Sequence, residues 1–177
     1  MHLIKILVIS LCVNMLAITT SFAEGQYDYA KIIIEQSNKH SYDPFIIMTI
    51  VHHESRFNHM AVSKTGAIGL MQIQPTTAKY VMQKTNQEWL GAEELYKPHY
   101  NIRVGITYLK YLQSKFSNMH DVFLAYNCGP TKVKQNKIPH TAMRYANSIR
   151  RFISFRDLLF DYPKIVFSNL KLQMFIG

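Results

Sequence analysis

Helix-starting signals recur along this chain, while sustained alternation of apolar and polar residues, the mark of a half-buried strand, is nearly absent. Asp43-Pro44 sets a capping carboxylate before a proline at the first helical position and opens an apolar run from Phe45 to His53. Gln74-Pro75 opens another segment to about Lys84, and Tyr27 to Ser37 reads as an earlier helix. Asn101 is expected to cap a long helix to Phe116, in which Ile102, Ile106, Leu109, Leu112 and Phe116 recur at helical spacing. Asp121 to Tyr126 reads as a short buried helix stopped by Gly129-Pro130, and Thr141 as the cap of a last helix from Ala142 to about Phe155. A large sheet is not expected, and a mainly α-helical fold is.

The first 23 residues bear on the compartment. Lys5 supplies a positive charge, Ile6 to Ile18 is apolar except for Ser10 and Asn14, and Ser21-Phe22-Ala23 is a small-x-small exit. The run is short of the ~20 residues a membrane span needs, so a cleavable signal peptide over 1–23 is expected. Leu11 stands before Cys12 where lipid attachment would want a small residue. With that segment removed only Cys128 remains, so no internal disulfide can form and the fold must rest on its core.

Charge then narrows the partner. Lys and Arg number 20 against 11 Asp and Glu, a formal charge of +9, with 48% hydrophobic residues. A folded basic domain suits an anionic partner, and export removes cytosolic nucleic acid, leaving a wall or envelope polymer in front. No repeat or linker divides the chain: one domain over 24–155 is expected, followed by an apolar, basic tail over 156–177. The uncharged stretch between Lys164 and Lys171 is too short to span a membrane, so the tail is expected to pack on the domain or meet a partner, with a membrane surface as the other option.

Between Glu35 and Glu88 the only carboxylates are Asp43, assigned to a cap, and Glu54. Glu54 ends the apolar helix, where the negative end of the helix dipole and partial burial both oppose ionisation. A carboxyl held protonated near neutrality is what a general acid needs to protonate a departing glycosidic oxygen. Competing chemistries fail on spacing. His53-Glu54 resembles the start of a zinc protease motif, but the position four on from His53 is Phe57, so no metal is expected; His52, His53 and His59 read as packing or surface groups. Cys128 with His140 lacks a helix start to activate the thiol, and reads as a small buried thiol. No Gly-x-Ser-x-Gly elbow occurs. Gly66 and Gly69, followed by an apolar run, predict a tight turn with close backbone approach, and no Gly-Lys-Ser/Thr follows to make a phosphate loop.

Three ordered islands then carry a resemblance. Glu54-Ser55-Arg56-Phe57-Asn58, then Ala61-Val62-Ser63 with Gly66 to Ala78, then Ala125-Tyr126-Asn127-Cys128-Gly129-Pro130, resemble the soluble lytic transglycosylase (SLT) domain of peptidoglycan-cleaving enzymes. Ile138-Pro139-His140-Thr141 followed by Tyr145 and Ile149 is similar to the family's closing helix. The likeness spans roughly Asp28 to Phe155, and the short exported form is similar to the specialised transglycosylases of secretion and conjugation machinery.

The resemblance implies a lysozyme-like (α+β, mainly helical), two-lobed domain with a cleft for peptidoglycan glycan strands. It implies an exported lytic transglycosylase that breaks the β-1,4 bond from N-acetylmuramic acid to N-acetylglucosamine and leaves 1,6-anhydro ends. Glu54 would be the single catalytic acid and then base, with no cofactor and no metal. Ser55, Met71, Gln72, Tyr126, Asn127 and Tyr145 would contact substrate or orient Glu54. A periplasmic or envelope location follows, with an envelope-spanning secretion or conjugation complex as a further partner. A goose-type lysozyme hydrolase and a non-catalytic wall-binding protein are the alternatives.

Overall fold

Pro44, Pro75, Pro98 and Pro130 each occupy the start of a helix, where the missing N–H leaves no hydrogen bond unmade. In the computed structural model, residues 24–154, 156 and 157 are described. The helices are α1 (Glu24–Lys39), α2 (Pro44–Ser55), α3 (Pro75–Lys84), α4 (Pro98–Gln113), α5 (Met119–Cys128), α6 (Pro130–Lys134) and α7 (140–154), with a 3-10 turn at Glu93–Tyr96. The expected signal peptide and all but the first residues of the expected tail lie outside the described residues.

The mainly helical expectation holds: among the described residues the β component is two isolated bridges, Val62 with Ile68 and Ile68 with Ile73. The organising element is α4, which touches α1, α3, α5 and the 3-10 turn. Ten of its 16 residues are buried, a helix enclosed on nearly every side. Its Ile102, Ile106, Leu109 and Leu112 meet Ile47, Ile50, Leu70, Val81, Met82 and Phe123 in one core.

Asn101 does not cap α4. The helix begins at Pro98, and Asn101 sits in its first turn, wholly buried. Its Oδ1 accepts from the Met71 N–H at 2.8 Å, and its Nδ2 donates to the carbonyls of Ile68 at 2.9 Å and Leu95 at 2.8 Å. A side chain that reads locally as a cap instead fastens a distant loop to the core. Helix α5 starts two residues before expectation because Asn118, accepting from the Asp121 N–H, is its cap. Pro130 both stops α5 and opens the short α6, which the sequence reading missed.

Candidate active site

Helix α2 carries Glu54 on its last turn and ends abruptly. Arg56 and Phe57 both take left-handed backbone conformations, φ 49° and 64°, so the chain reverses immediately behind the carboxylate. The 56–74 segment that follows has little regular structure yet many specific bonds. The Ser63 N–H donates to Ala67 O at 2.9 Å, the Gly69 N–H to Ala61 O at 2.9 Å, and Ile68 and Ile73 exchange both backbone bonds. Gly69 lies at φ 79° against Asn101 and the Leu95 carbonyl, so a side chain there would meet both the strained backbone and those atoms. This is the close approach that the glycine spacing predicts.

Two further side chains clamp the loop to the helices beneath it, and a third braces it from within. Ser55 Oγ donates to Leu70 O at 2.8 Å, Tyr126 Oη donates to Met71 O at 2.8 Å, and Gln72 Nε2 donates back to Ala61 O at 3.1 Å and Gly69 O at 3.0 Å. Met71 is therefore held at its N–H by Asn101 and at its carbonyl by Tyr126. Its side chain is fully buried over Gly105 of α4, where a Cβ would run into the sulfur. Gln72, next in sequence and left-handed at φ 48°, turns the other way.

The result is a cavity of about 520 Å³ in which Glu54 is the one lining carboxylate; Gln72, Tyr126, Asn127 and Tyr108 share its wall. Neither Asp121 nor Glu93 lines this cavity. Asp121 bonds Asn118 at the start of α5, and Glu93 lines a separate depression with Tyr96 and Pro98. Burial raises the Glu54 carboxyl from 4.5 to about 7, and the Tyr145 hydroxyl, facing it, pulls slightly the other way. That hydroxyl is enclosed and stops short of a formed hydrogen bond, as does the enclosed hydroxyl of Tyr42. Burial and the Glu54 charge together push the Tyr126 and Tyr145 hydroxyls well above the ordinary tyrosine value, so both stay neutral donors. A carboxyl that changes protonation near neutrality, ringed by neutral phenols, can donate a proton to a bound oxygen and take one back.

The seven positions singled out by sequence divide accordingly. Glu54, Gln72, Tyr126 and Asn127 line the cavity, and Tyr145 closes on Glu54 from α7. Ser55 binds the loop, and Met71 belongs to the core and does not line the cavity. Cys128, expected as a buried thiol, is half-buried and lines the cavity, its thiol raised by burial, while His140 is exposed elsewhere. Sequence reasoning missed Ser63, Thr65, Gln74 and Thr77, which lie within or beside the glycine-bearing island, and Tyr108, whose spacing on α4 is that of a core residue. Lys132 of α6 also reaches the wall and had no signal at all. Of the histidines, His59 accepts or donates at 2.6 Å to Tyr29 Oη, and His53 packs edge-on against Tyr145 with Ser148 Oγ at 3.2 Å.

Residues 31–149 match the family model described as Transglycosylase SLT domain. Membrane-bound lytic murein transglycosylase E of Buchnera aphidicola subsp. Acyrthosiphon pisum is 40% identical over 87 residues, 48% of this chain and 39% of that protein. The soluble lytic murein transglycosylase of Salmonella typhimurium is 38% identical over 90 residues, 49% of this chain and 14% of that protein. The chain thus spans less than half the length of these relatives. Among solved structures, an inactive mutant of lytic transglycosylase Slt from Pseudomonas aeruginosa superposes with a TM-score of 0.62 at 26% identity, over 69% of this chain and 22% of that one. The 70 kDa soluble lytic transglycosylase of Escherichia coli gives 0.62 at 25%, over 69% and 23%.

Proposed function

The chain belongs to the Transglycosylase SLT domain family, and from that premise we propose that it is a peptidoglycan lytic transglycosylase working with Glu54 as its one acid and base. The observation that carries the reading is a single enclosed carboxyl, raised to about 7, in a cavity that no second carboxylate lines. Glycosidases that use two carboxylates hold them roughly 5 to 9.5 Å apart. A chemistry that draws its second group from the substrate needs no such pair.

In the proposed reaction the protonated Glu54 gives its proton to the oxygen of the bond from N-acetylmuramic acid to N-acetylglucosamine. The bond from C1 to that oxygen breaks, and the muramic N-acetyl carbonyl oxygen closes onto C1. Glu54, now a carboxylate, takes the proton of the muramic C6 hydroxyl, whose oxygen displaces the acetamido oxygen at C1. The products are a free 4-hydroxyl on one fragment and a 1,6-anhydro ring on the other, and Glu54 ends protonated as it began. Tyr126 and Tyr145, neutral and beside Glu54, support both of its protonation states without competing for the proton. Gln72 and Asn127 offer amide groups in the cavity wall for sugar hydroxyl and acetamido groups. Export to the envelope and service to a secretion or conjugation machine belong to the same reading.

Digestion of purified peptidoglycan followed by mass spectrometry of the fragments tests it. Ends lighter by one water than reducing ends are expected and are to vanish with Glu54→Gln; reducing ends would make the chain a goose-type hydrolase instead.

A further inference from the structure

Helices α3 and α4 each reach the Glu54 cavity with one residue, Thr77 and Tyr108. Three positions further along each helix stands another tyrosine, Tyr80, 46% exposed, and Tyr111, half-buried. Residues three apart share a helix face at a rise of about 4.5 Å, so the tyrosine pair adjoins the cavity along both helices. The Tyr80 and Tyr111 hydroxyls are bonded at 2.9 Å, with the rings edge to face at 5.8 Å and 86°. Lys84 Nζ lies 5.8 Å from the centre of the Tyr80 ring, and Lys115 Nζ 5.3 Å from that of Tyr111. With Lys110 these four residues frame a second, concave site of about 480 Å³. No carboxylate lines it, and none of the ion pairs among the described residues involves its three lysines.

The chemistry of this patch is selective. Two phenols sharing one hydrogen bond retain one O–H and spare lone pairs, and their exposed rings offer apolar faces to the C–H faces of sugars. Cation–π contacts hold two ammonium groups beside those rings. Three cations with no acidic neighbour call for carboxylates or other anions. The remaining lining residues are Thr85 and Ser114, so the site lacks the aliphatic side chains a membrane surface would bury.

We propose that Tyr80, Tyr111, Lys84, Lys110 and Lys115 bind the carboxylate-bearing peptide stems and adjacent sugars of a peptidoglycan strand whose cleaved bond lies at Glu54. This deepens the reading above and rests on its substrate. The patch then holds the polymer at a point removed from the chemistry, so it governs retention on the wall.

Pelleting of the full chain with peptidoglycan sacculi tests the proposal, with Glu54→Gln in place so that the sacculi persist. Amidation of the sacculus carboxylates is expected to weaken binding about tenfold, as are Tyr80→Ala/Tyr111→Ala and Lys84→Glu/Lys115→Glu in the untreated material. The lysine double variant no longer binds untreated sacculi better than amidated ones, whereas the tyrosine double variant, which keeps its lysines, still does. Lys31→Glu/Lys137→Glu, an equal charge change at exposed positions outside the patch, keeps the parent's binding. Parent-like binding by both patch variants, equal loss in the Lys31→Glu/Lys137→Glu control, or indifference to amidation overturns the proposal. So does loss of pelleting on phosphatidylglycerol vesicles in the lysine variant with sacculus binding intact, which would make the patch a membrane contact. Thermal melts of each variant separate lost binding from lost fold. The readout is independent of turnover: stem-dependent binding by a chain that releases no anhydro ends leaves the patch standing and removes only the enzymatic reading.

Discussion

Helix α2 carries a carboxylate at each end, and the two live under opposite physics. Asp43, at the N-terminus, accepts from the Phe45 N–H at 2.8 Å, faces the positive end of the helix dipole and pairs with Arg156. Glu54, at the C-terminus, faces the negative end, is enclosed by Tyr126 and Tyr145, and rises to about 7. One end satisfies its charge and holds the helix; the other has no ion-pair partner among the described residues and keeps a proton to give. The two ends are also fixed by different means, the first by its own cap and the second by a loop hung on Asn101.

Substitution at the reactive end has the largest expected effect. Glu54→Gln keeps the shape of the side chain and removes the titrating proton, and should lower release of anhydro fragments about 1,000-fold, within the span that general acid–base groups contribute. Retained melting behaviour with retained release would erase the difference between the ends. Asn101→Ala attacks the same end from beneath. It leaves the Met71 N–H and the Ile68 and Leu95 carbonyls without their partner in a fully buried site, and should destabilise the fold by about 3 kcal/mol in denaturant titration. Because the loop it anchors carries Gln72, fragment release should also fall at temperatures where the variant is still folded.

How much of this was legible depends on how local the signal is. The starts of α2 and α3 are written in adjacent residues, Asp43-Pro44 and Gln74-Pro75, and both helices begin at those prolines. Asn101 misled for the same reason: an Asn before an apolar-periodic run has the local look of a cap, but Pro98 already opens the helix and the Asn101 amide is spent on Met71, Ile68 and Leu95. The two glycines predicted close approach without saying to what. Met71 and Gln72 show the limit most sharply, since adjacent residues point into the core and into the cavity, and only the left-handed turn at Gln72 separates them. Tyr108 has the spacing of a core residue on α4 and is one, 8% exposed, yet it also forms cavity wall.

Titration separates the two ends next. Glu54 is raised in the fold, so between pH 4.5 and about 7 the folded chain holds a proton that the unfolded chain has released. The folded state then binds more protons, and stability falls as pH rises through that window and levels off above it. The difference is no more than about 3 kcal/mol and smaller for a carboxyl open to the cavity. Glu54→Gln should abolish this slope: the variant is expected to melt higher than the parent at pH 8 and alongside it near pH 4. Fragment release by the parent should decline above about pH 7 as the acid form is lost. A parent whose stability is flat across this window would mean that the Glu54 end is as well solvated as an ordinary surface carboxylate.

The smallest expected effect tests whether the two ends are independent. Asp43→Ala removes the cap on α2 and the partner of Arg156, a loss of about 1 kcal/mol for the cap with little more from a partly exposed ion pair. Glu54 lies three turns away, where Ser55 Oγ is bonded to Leu70 O and Val51 and Ile50 are fully buried, so fraying at the first turn should not reach it. Melting temperature should drop by a few degrees for a domain of this size while fragment release stays within twofold of the parent. A parallel drop in release would show that the cap, and not only the loop beneath Glu54, sets the position of the reactive carboxyl.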